Sequence, residues 1–322
     1  MNIGMVNMSK YTSMPFNDFN VVSIGEKATF LHVNLADDYS FYKSLFEYFF
    51  DESRILRYAE NKTNLSFSPC AKNYVTLFKH LGYYIDDKSQ EKLPENLEAD
   101  VLQILSDEFG LNDDGMGHLS VRLDKMGKIG EYIFCNLLSE YYGFDCIIPK
   151  VHLTTDYNMS VYGIDALFYS SKQDMVLFGE SKLSKSLSNG IGLINKSLKT
   201  YEKQIRDEFT LMLSNRFLRN NMGIFGDKYS GKIELSLGIE DFIAKADVKR
   251  IAIPLFIAHG TDCKPNEIFK QLCSVKKPDF FNLETQYIII SLPLVDKAKM
   301  ISVFTQGIAE RRTFYEQAAT SD

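Results

Sequence analysis

The sequence predicts an α/β protein, a mixed sheet flanked by helices, on three observations. From Asp124 onward a helix-like segment is followed by three strand-like runs, another helix and more apolar strands, an order that builds a sheet covered by helices. Two of those runs are joined by a short polar turn, which makes them an antiparallel hairpin. The chain has 322 residues, 45% of them hydrophobic and 24% charged, enough to enclose a sizeable core.

Taken in order, the first thirty residues are mixed in character and read as irregular at their start. Thr29–Leu35 alternates like a strand. Tyr39–Tyr58, Asn73–Tyr84 and Leu97–Phe109 have helical periodicity. Gly110–Gly117, with Asn-Asp-Asp-Gly inside it, breaks the pattern. That break divides the chain into a mainly helical accessory region, 1–118, suited to contacting a partner, and an α/β domain, 119–322. Asp124–Tyr142 is a helix stopped by Gly143. Asp145–Leu153, Tyr162–Ser170 and Met175–Leu183 are strands, the last two joined by Ser171-Lys172-Gln173-Asp174. Ser184–Gly192 reads as a Ser/Gly/Asn loop, followed by one long helix from Ile194 to about Asn220. Arg250–Ala258 and Gln286–Leu292 are apolar strands, and Asp296–Gln317 closes the chain as a helix.

Composition excludes several classes. No apolar run approaches the roughly eighteen residues that span a bilayer, and Met1–Met14 lacks the basic and apolar segments of a signal peptide, so the expectation is a cytoplasmic protein without membrane contact. The five cysteines are scattered and form no C-x-x-C pair, against a zinc site or a disulfide framework. There is no Walker A loop and no G-x-S-x-G. A net charge of −6 argues against a passive nucleic-acid coat, though not against an enzyme with a local basic groove. His259, ending the run Ile251–Ala258, reads as structural.

The chemistry concentrates in the hairpin. Its strands are mostly apolar, yet they carry Asp165 near the start of one and Glu180 near the end of the other. Ionised carboxylates are costly to bury without a compensating cation or hydrogen bonds. Glu180 and Lys182, two apart on a strand, share a face, and Asp165 can be a cross-strand neighbour of Glu180. Two carboxylates beside a lysine offer hard oxygen ligands suited to Mg²⁺ or Mn²⁺. Such a metal polarises a phosphoryl oxygen and generates hydroxide from water, while a lysine stabilises developing charge. On the preceding helix Glu131 shares a row with Phe134 and Leu138, and Gly127 and Gly130 permit close packing, so Glu131 is a third candidate acid. The (D/E)-x-K pattern occurs five times, at Glu60, Asp86, Glu180, Asp247 and Asp262. Only Glu180 ends an apolar strand, follows an acid-bearing strand and has a glycine-flanked helical Glu upstream. The competing interpretation is a strand-end salt bridge between Glu180 and Lys182. Lys196, Lys199, Lys203 and Arg206 fall on one helical face that either binds backbone phosphates or is simply solvated, with Lys185 and the neighbouring serines as further contacts and Gln204 as a loose candidate.

The order helix-Glu131, strand-Asp165, strand-Glu180-x-Lys182, helix resembles the PD-(D/E)xK nuclease superfamily over roughly Lys125–Asn220, with Ile164 where the name-giving proline stands. The segments Tyr162-Gly-Ile-Asp-Ala-Leu-Phe and Phe178-Gly-Glu-Ser-Lys-Leu-Ser-Lys-Ser more narrowly resemble the HamA family, nuclease subunits of bacterial Hachiman anti-phage systems. That resemblance implies a restriction-endonuclease-like core and a Mg²⁺- or Mn²⁺-dependent DNase acting on DNA with a helicase subunit, HamB, that restrains it. It makes Asp165 and Glu180 the metal ligands, Glu131 an assisting ligand and Lys182 the catalytic lysine. The alternatives are an inactive nuclease-like binding module, against which the intact Glu131, Asp165, Glu180 and Lys182 speak, and a ribonuclease on the same scaffold, whose metal-site chemistry would be the same.

Overall fold

The computed structural model describes residues 12–16, 19–25, 28–34, 39–56, 69–85, 90–92, 98–109, 112–113, 119–122, 126–149, 166–170, 173, 175–214, 236–294 and 297–321. They form two compact units: 1–35 with 134–293, and 36–133 with 294–322. This division cuts the chain differently from a single boundary near residue 118.

The first unit is built on an eight-stranded mixed sheet. Its strands are β1 (Thr12–Phe16), β2 (Phe19–Gly25), β3 (Ala28–Asn34), β7 (Asp145–Pro149), β8 (Ala166–Ser170), β9 (Met175–Ser184), β10 (Arg250–His259) and β11 (Glu284–Pro293), in the order β1-β2-β3-β11-β10-β9-β8-β7. The four central strands, β3, β11, β10 and β9, are mutually parallel, and the flanking strands are antiparallel. The expected α/β class and the β8–β9 hairpin are therefore present, with Ser170 paired to Met175 across the polar turn. The expected irregular start, residues 1–11, lies outside the described residues; from Thr12 on, β1 and β2 form a hairpin whose closing pair is Phe16 with Phe19, and β3 joins it to the central sheet.

Strands buried on both faces read as continuous apolar runs. β10 is such a strand: Ile251 through His259 are all buried. It also contains Pro254, which has no N–H to give to a ladder. The β9–β10 register lapses opposite Ile253 and Pro254 and resumes at Leu255 with Glu180.

One face of the sheet is covered by α5 (Leu187–Ser197), α6 (Tyr201–Ser214), α7 (Ile239–Ala246) and α8 (Pro265–Leu272). Leu187, Ile191, Ile194 and Leu198, then Tyr201, Ile205 and Phe209, join the strand residues Phe178, Ile253, Leu255, Ile257 and Ile289 in one core. Two expectations are corrected here. Ser184–Gly192 is not a loop: the helix begins at Leu187, and Ser186 caps it by accepting from Asn189 N–H (3.2 Å). Ile194–Asn220 is not one helix either: tight turns at Lys199 and Thr200 separate α5 from α6. The apolar positions 187, 191 and 194 outweigh the loop-like Ser, Gly and Asn between them, because burying that stripe favours helix. Gly190 sits where α5 meets β10; a Cβ there would lie 2.5 Å from Ile257 Cγ2.

In the second unit, α1 (Tyr39–Phe49), α2 (Ala71–Ile85), α3 (Ala99–Phe109) and α9 (Lys297–Ser321) form the helical part, with a small sheet of β4 (Gln90–Lys92), β6 (Leu119–Arg122) and β5 (Asn112–Asp113). The expected helix 39–58 stops at Phe49, because Asp51 starts a new turn by accepting from the N–H groups of Ser53 (3.0 Å) and Arg54 (3.3 Å). Arg311 of α9 pairs with Glu47 and Glu52, and Gly307 lets Phe46 pack directly on α9. α4 (Met126–Glu140) is shared between the units at Ile133/Phe134. Its stop is as expected: Gly143 takes φ +66°, and Phe144 N–H reaches back to Leu138 O (3.1 Å). No described helix is long and apolar enough to cross a membrane.

Two glycines of α5 separate close packing from helix propensity. Gly190→Ala should destabilise by about 1–3 kcal/mol through overpacking against Ile257. Exposed Gly192, with nothing within 4 Å of its missing Cβ, should gain up to about 1 kcal/mol as Ala. Urea unfolding of both variants measures this, and equal shifts would contradict the α5–β10 contact.

Candidate functional site

The parallel strands place their polar residues at their carboxyl ends, the side on which open α/β sheets bind ligands. Side chains alternate along each strand, so register defines rows that share a face. Glu180, Leu255, Ile289 and Phe30 form one row; Lys182, Ile257, Ser291 and His32 form the next; Ser184 and His259 follow. All lie on the face covered by α5.

Glu180 is 2% exposed and lies beside Leu255 of β10. Its carboxylate Oε1 is 2.5 Å from Lys182 Nζ, and the Lys182 side chain is 28% exposed. Glu180 is thus a buried anion held against a cation that reaches toward solvent, as their shared face requires. The strand carrying them is fixed from above: Tyr201 of α6 donates its hydroxyl to Phe178 O (3.1 Å). Phe178 lies in the lapse opposite Ile253 and Pro254, so Tyr201 supplies a donor where the proline cannot.

The other expected site residues are distributed unevenly. Asp165 lies outside the described residues; the next residue, Ala166, pairs with Gly179, which precedes Glu180. Glu131 is half-buried on α4 and belongs to the second unit. Phe134, one turn on, stacks on Phe256 (centroids 5.5 Å), and Phe256 is on the sheet face opposite Glu180. Among the described residues no three His, Cys, Asp or Glu side chains gather as a metal-binding group.

The cationic stripe is broken up by the division of its helix. Lys185 is exposed immediately after β9, at the Glu180 end. Lys196 is in the last turn of α5, about 14 Å further along the axis at 1.5 Å per residue. Asn195 beside it donates to Ser274 O (3.2 Å) and accepts from Lys276 N–H (2.7 Å), tying that end of α5 to the segment leading into β11. Lys196 therefore sits toward the amino ends of the parallel strands. Lys199 falls in the linker, and Lys203 and Arg206 are exposed on α6. Arg206 is engaged by Glu202 (2.5 Å) and Glu240. Gln204 is half-buried on the same helix, its Oε1 without a hydrogen-bond partner.

His32, Ser291 and Thr261 were not singled out by sequence, although the signal was available. His32 and Ser291 are polar residues inside apolar strands, as Glu180 is. Both histidines are buried, with His259 Nε2 2.8 Å and His32 Nδ1 3.1 Å from Ser291 Oγ. Burial holds both imidazoles down at about 4, His259 further lowered by neighbouring His32 and partly raised by its bond from Thr261 N–H. Both rings are neutral at pH 7.

A family model described as HamA matches residues 29–308 of this chain. The Hachiman protein HamA of Bacillus cereus is 25% identical over 190 residues, covering 58% of this chain and 63% of that protein. The match thus spans less than two thirds of that relative's length. No solved structure matches the chain.

The two neutral histidines make stability depend on pH. Their folded values lie below the unfolded 6.5, so the unfolded chain takes up protons first and stability falls as pH drops from about 6.5 toward 4. Between pH 7.5 and 5.5, above most carboxylate titration, each histidine should remove about 1 kcal/mol. Urea midpoints across that window should fall in the wild type and fall about half as far in His259→Gln. A flat wild-type curve would show that the rings are not held neutral.

Proposed function

The chain belongs to the HamA family, and from that membership we propose that it serves Hachiman anti-phage defence as a metal-dependent deoxyribonuclease of the PD-(D/E)xK type. The observation that carries the reading is Glu180: a carboxylate 2% exposed, at the carboxyl end of a central parallel strand, with Lys182 on the same face 2.5 Å away. A surface salt bridge has no need of that burial, whereas a hydrolytic site gains from a low-dielectric setting in which charges act strongly on a reacting phosphate.

In this proposal Glu180 and Asp165 hold a divalent cation, Mg²⁺ or Mn²⁺. The carboxylate chemistry fits a hard cation, and Ala166 paired with Gly179 puts the start of β8 beside Glu180's neighbour in the ladder. When bound, the cation supplies Lewis-acid polarisation and an acidified water. Lys182 is the catalytic lysine: its ammonium is close enough to Glu180 to orient a water and, reaching toward solvent, to offset charge developing on the phosphate. Glu131 is assigned an assisting role as a further acid. Lys185, at the same end of the sheet, is assigned to the scissile strand. Lys196, Lys199 and Lys203 are assigned to more distant backbone phosphates, with Arg206 contributing only if it leaves its acidic partners. The helical part of residues 1–118 is assigned to a helicase partner in the cytoplasm.

A cleavage assay on plasmid and linear DNA with Mg²⁺ or Mn²⁺, with and without the helicase partner and with RNA alongside, tests this reading. Wild type should cut only with metal. Glu180→Ala and Lys182→Ala should each lower the rate by about a hundredfold or more. Metal-dependent cutting of RNA alone would make the protein a ribonuclease, and no cutting under any condition would make it a binding module.

A further inference from the structure

Three parallel strands contribute to one polar chain beside the candidate site, and its direction starts from a donor that cannot reverse. A backbone N–H only donates. Thr261 N–H donates to His259 Nδ1 (3.1 Å), so in the neutral ring the proton is on Nε2. Nε2–H then donates to Ser291 Oγ (2.8 Å), which leaves the Ser291 hydroxyl proton for His32 Nδ1 (3.1 Å). With that proton on its Nδ1 side, His32 carries its own proton on Nε2, the arrangement in which Ser291 both accepts and donates. The edge of Phe269 on α8 packs against that ring, centroids 6.4 Å apart.

The other end of the chain reaches the turn behind Lys182. Thr261 Oγ1 accepts from Leu187 N–H (2.9 Å), the first residue of α5. Ser184, the last residue of β9, pairs with His259 across the ladder. It donates to Ser186 O (2.9 Å) and accepts from Asn189 Nδ2 (3.0 Å). Turn and helix start are thereby tied to β10, two residues from Lys182. Three buried polar side chains at one spot are costly to retain, since apolar residues of similar volume leave nothing to satisfy.

We propose, resting on the nuclease reading above, that His259, Ser291 and His32 form a one-directional hydrogen-bond relay that locks the turn behind Lys182, and that His259 and Ser291 are positioning residues for the Glu180–Lys182 site. The relay makes β3, at the start of the chain, part of the support of a site whose acid and lysine lie on β9.

Two-bond ¹H–¹⁵N spectra of the full chain with ¹⁵N-labelled histidine, at pH 7, test the direction. Wild type should show both His32 and His259 as Nε2–H tautomers. In Ser291→Ala, His32 should become a tautomer mixture while His259 stays Nε2–H, because only His32 loses its donor. An Nδ1–H His259, a charged ring, or equal effects on both rings would overturn the relay. If Ser291→Ala does not fold, the wild-type spectrum alone decides the direction. Kinetics of Mg²⁺-dependent cleavage of linear duplex DNA test positioning. His259→Leu should lower kcat at least tenfold with KM within twofold, and His259→Gln, whose amide still reaches Ser291, should recover part of it. Equal losses in both variants, or a loss carried by KM, would overturn the positioning role. Expected tautomers in a wild type that cuts no nucleic acid would overturn the nuclease reading and the positioning role together, while the directed chain would stand.

Discussion

The site depends on one strand. β10 runs through the middle of the sheet, buried on both faces, and its pairing with β9 and β11 sets which side chains share a row. Because it is parallel to both, the polar residues of three strands collect at one end rather than spreading along the sheet. Leu255 and Ile257 then form an apolar wall beside Glu180 and Lys182. The β9–β10 ladder lapses at Ile253 and Pro254, immediately before Leu255 pairs with Glu180, and within that lapse Tyr201 of α6 donates to Phe178 O. That bond connects the helical cover to the strand carrying the acid and gives α6 a fixed point on it.

Burial acts on the two kinds of titratable group in opposite ways. A carboxylate moved away from water needs a cation or several donors, and Lys182 meets that need at 2.5 Å. A histidine has a neutral form within easy reach of pH 7, so burial selects that form and leaves only hydrogen bonds to satisfy. Hence the end of the sheet is divided. The Glu180–Lys182 pair keeps charge beside a route to solvent, and the His259–Ser291–His32 group is uncharged and closed. Removing a partner from the first would strand a charge, whereas the second responds to acid.

The hairpin and the shared face of Glu180 and Lys182 were legible because period-two alternation is a local property of a strand. So was the stop at Gly143, which follows from one residue's tolerance of positive φ. β1 and β2 are not legible in the sequence: each pairs only with its neighbour in the chain, and the sheet they extend is reached through β3, whose partner β11 lies some 250 residues away. The start of α5 was missed because Ser, Gly and Asn were weighed by composition, while Leu187, Ile191 and Ile194 were weighed too little as a buried stripe. The basic stripe was over-read for the same reason in reverse. Spacing of i, i+3, i+7 and i+10 defines a face only if the helix is continuous, and it breaks after Ser197.

That break alters what the lysines can do. A continuous helix would have carried four cations away from the acid in a straight line. Instead α5 lies back across the sheet, pinned by Asn195 to the segment before β11, and α6 starts anew with Arg206 already neutralised by Glu202 and Glu240. Lys185 alone of the five remains next to the carboxyl ends of the strands. Among the described residues of the predicted stripe and pair, Lys185 and Lys182 are the cations placed at the carboxyl ends of the strands. Under the proposed nuclease reading, a chain of net charge −6 suits nucleic acid delivered by a partner better than nucleic acid gathered by long-range attraction. Fields from exposed charges fade over about 8–10 Å at physiological salt, less than the roughly 14 Å along α5 that separates Lys196 from its first turn.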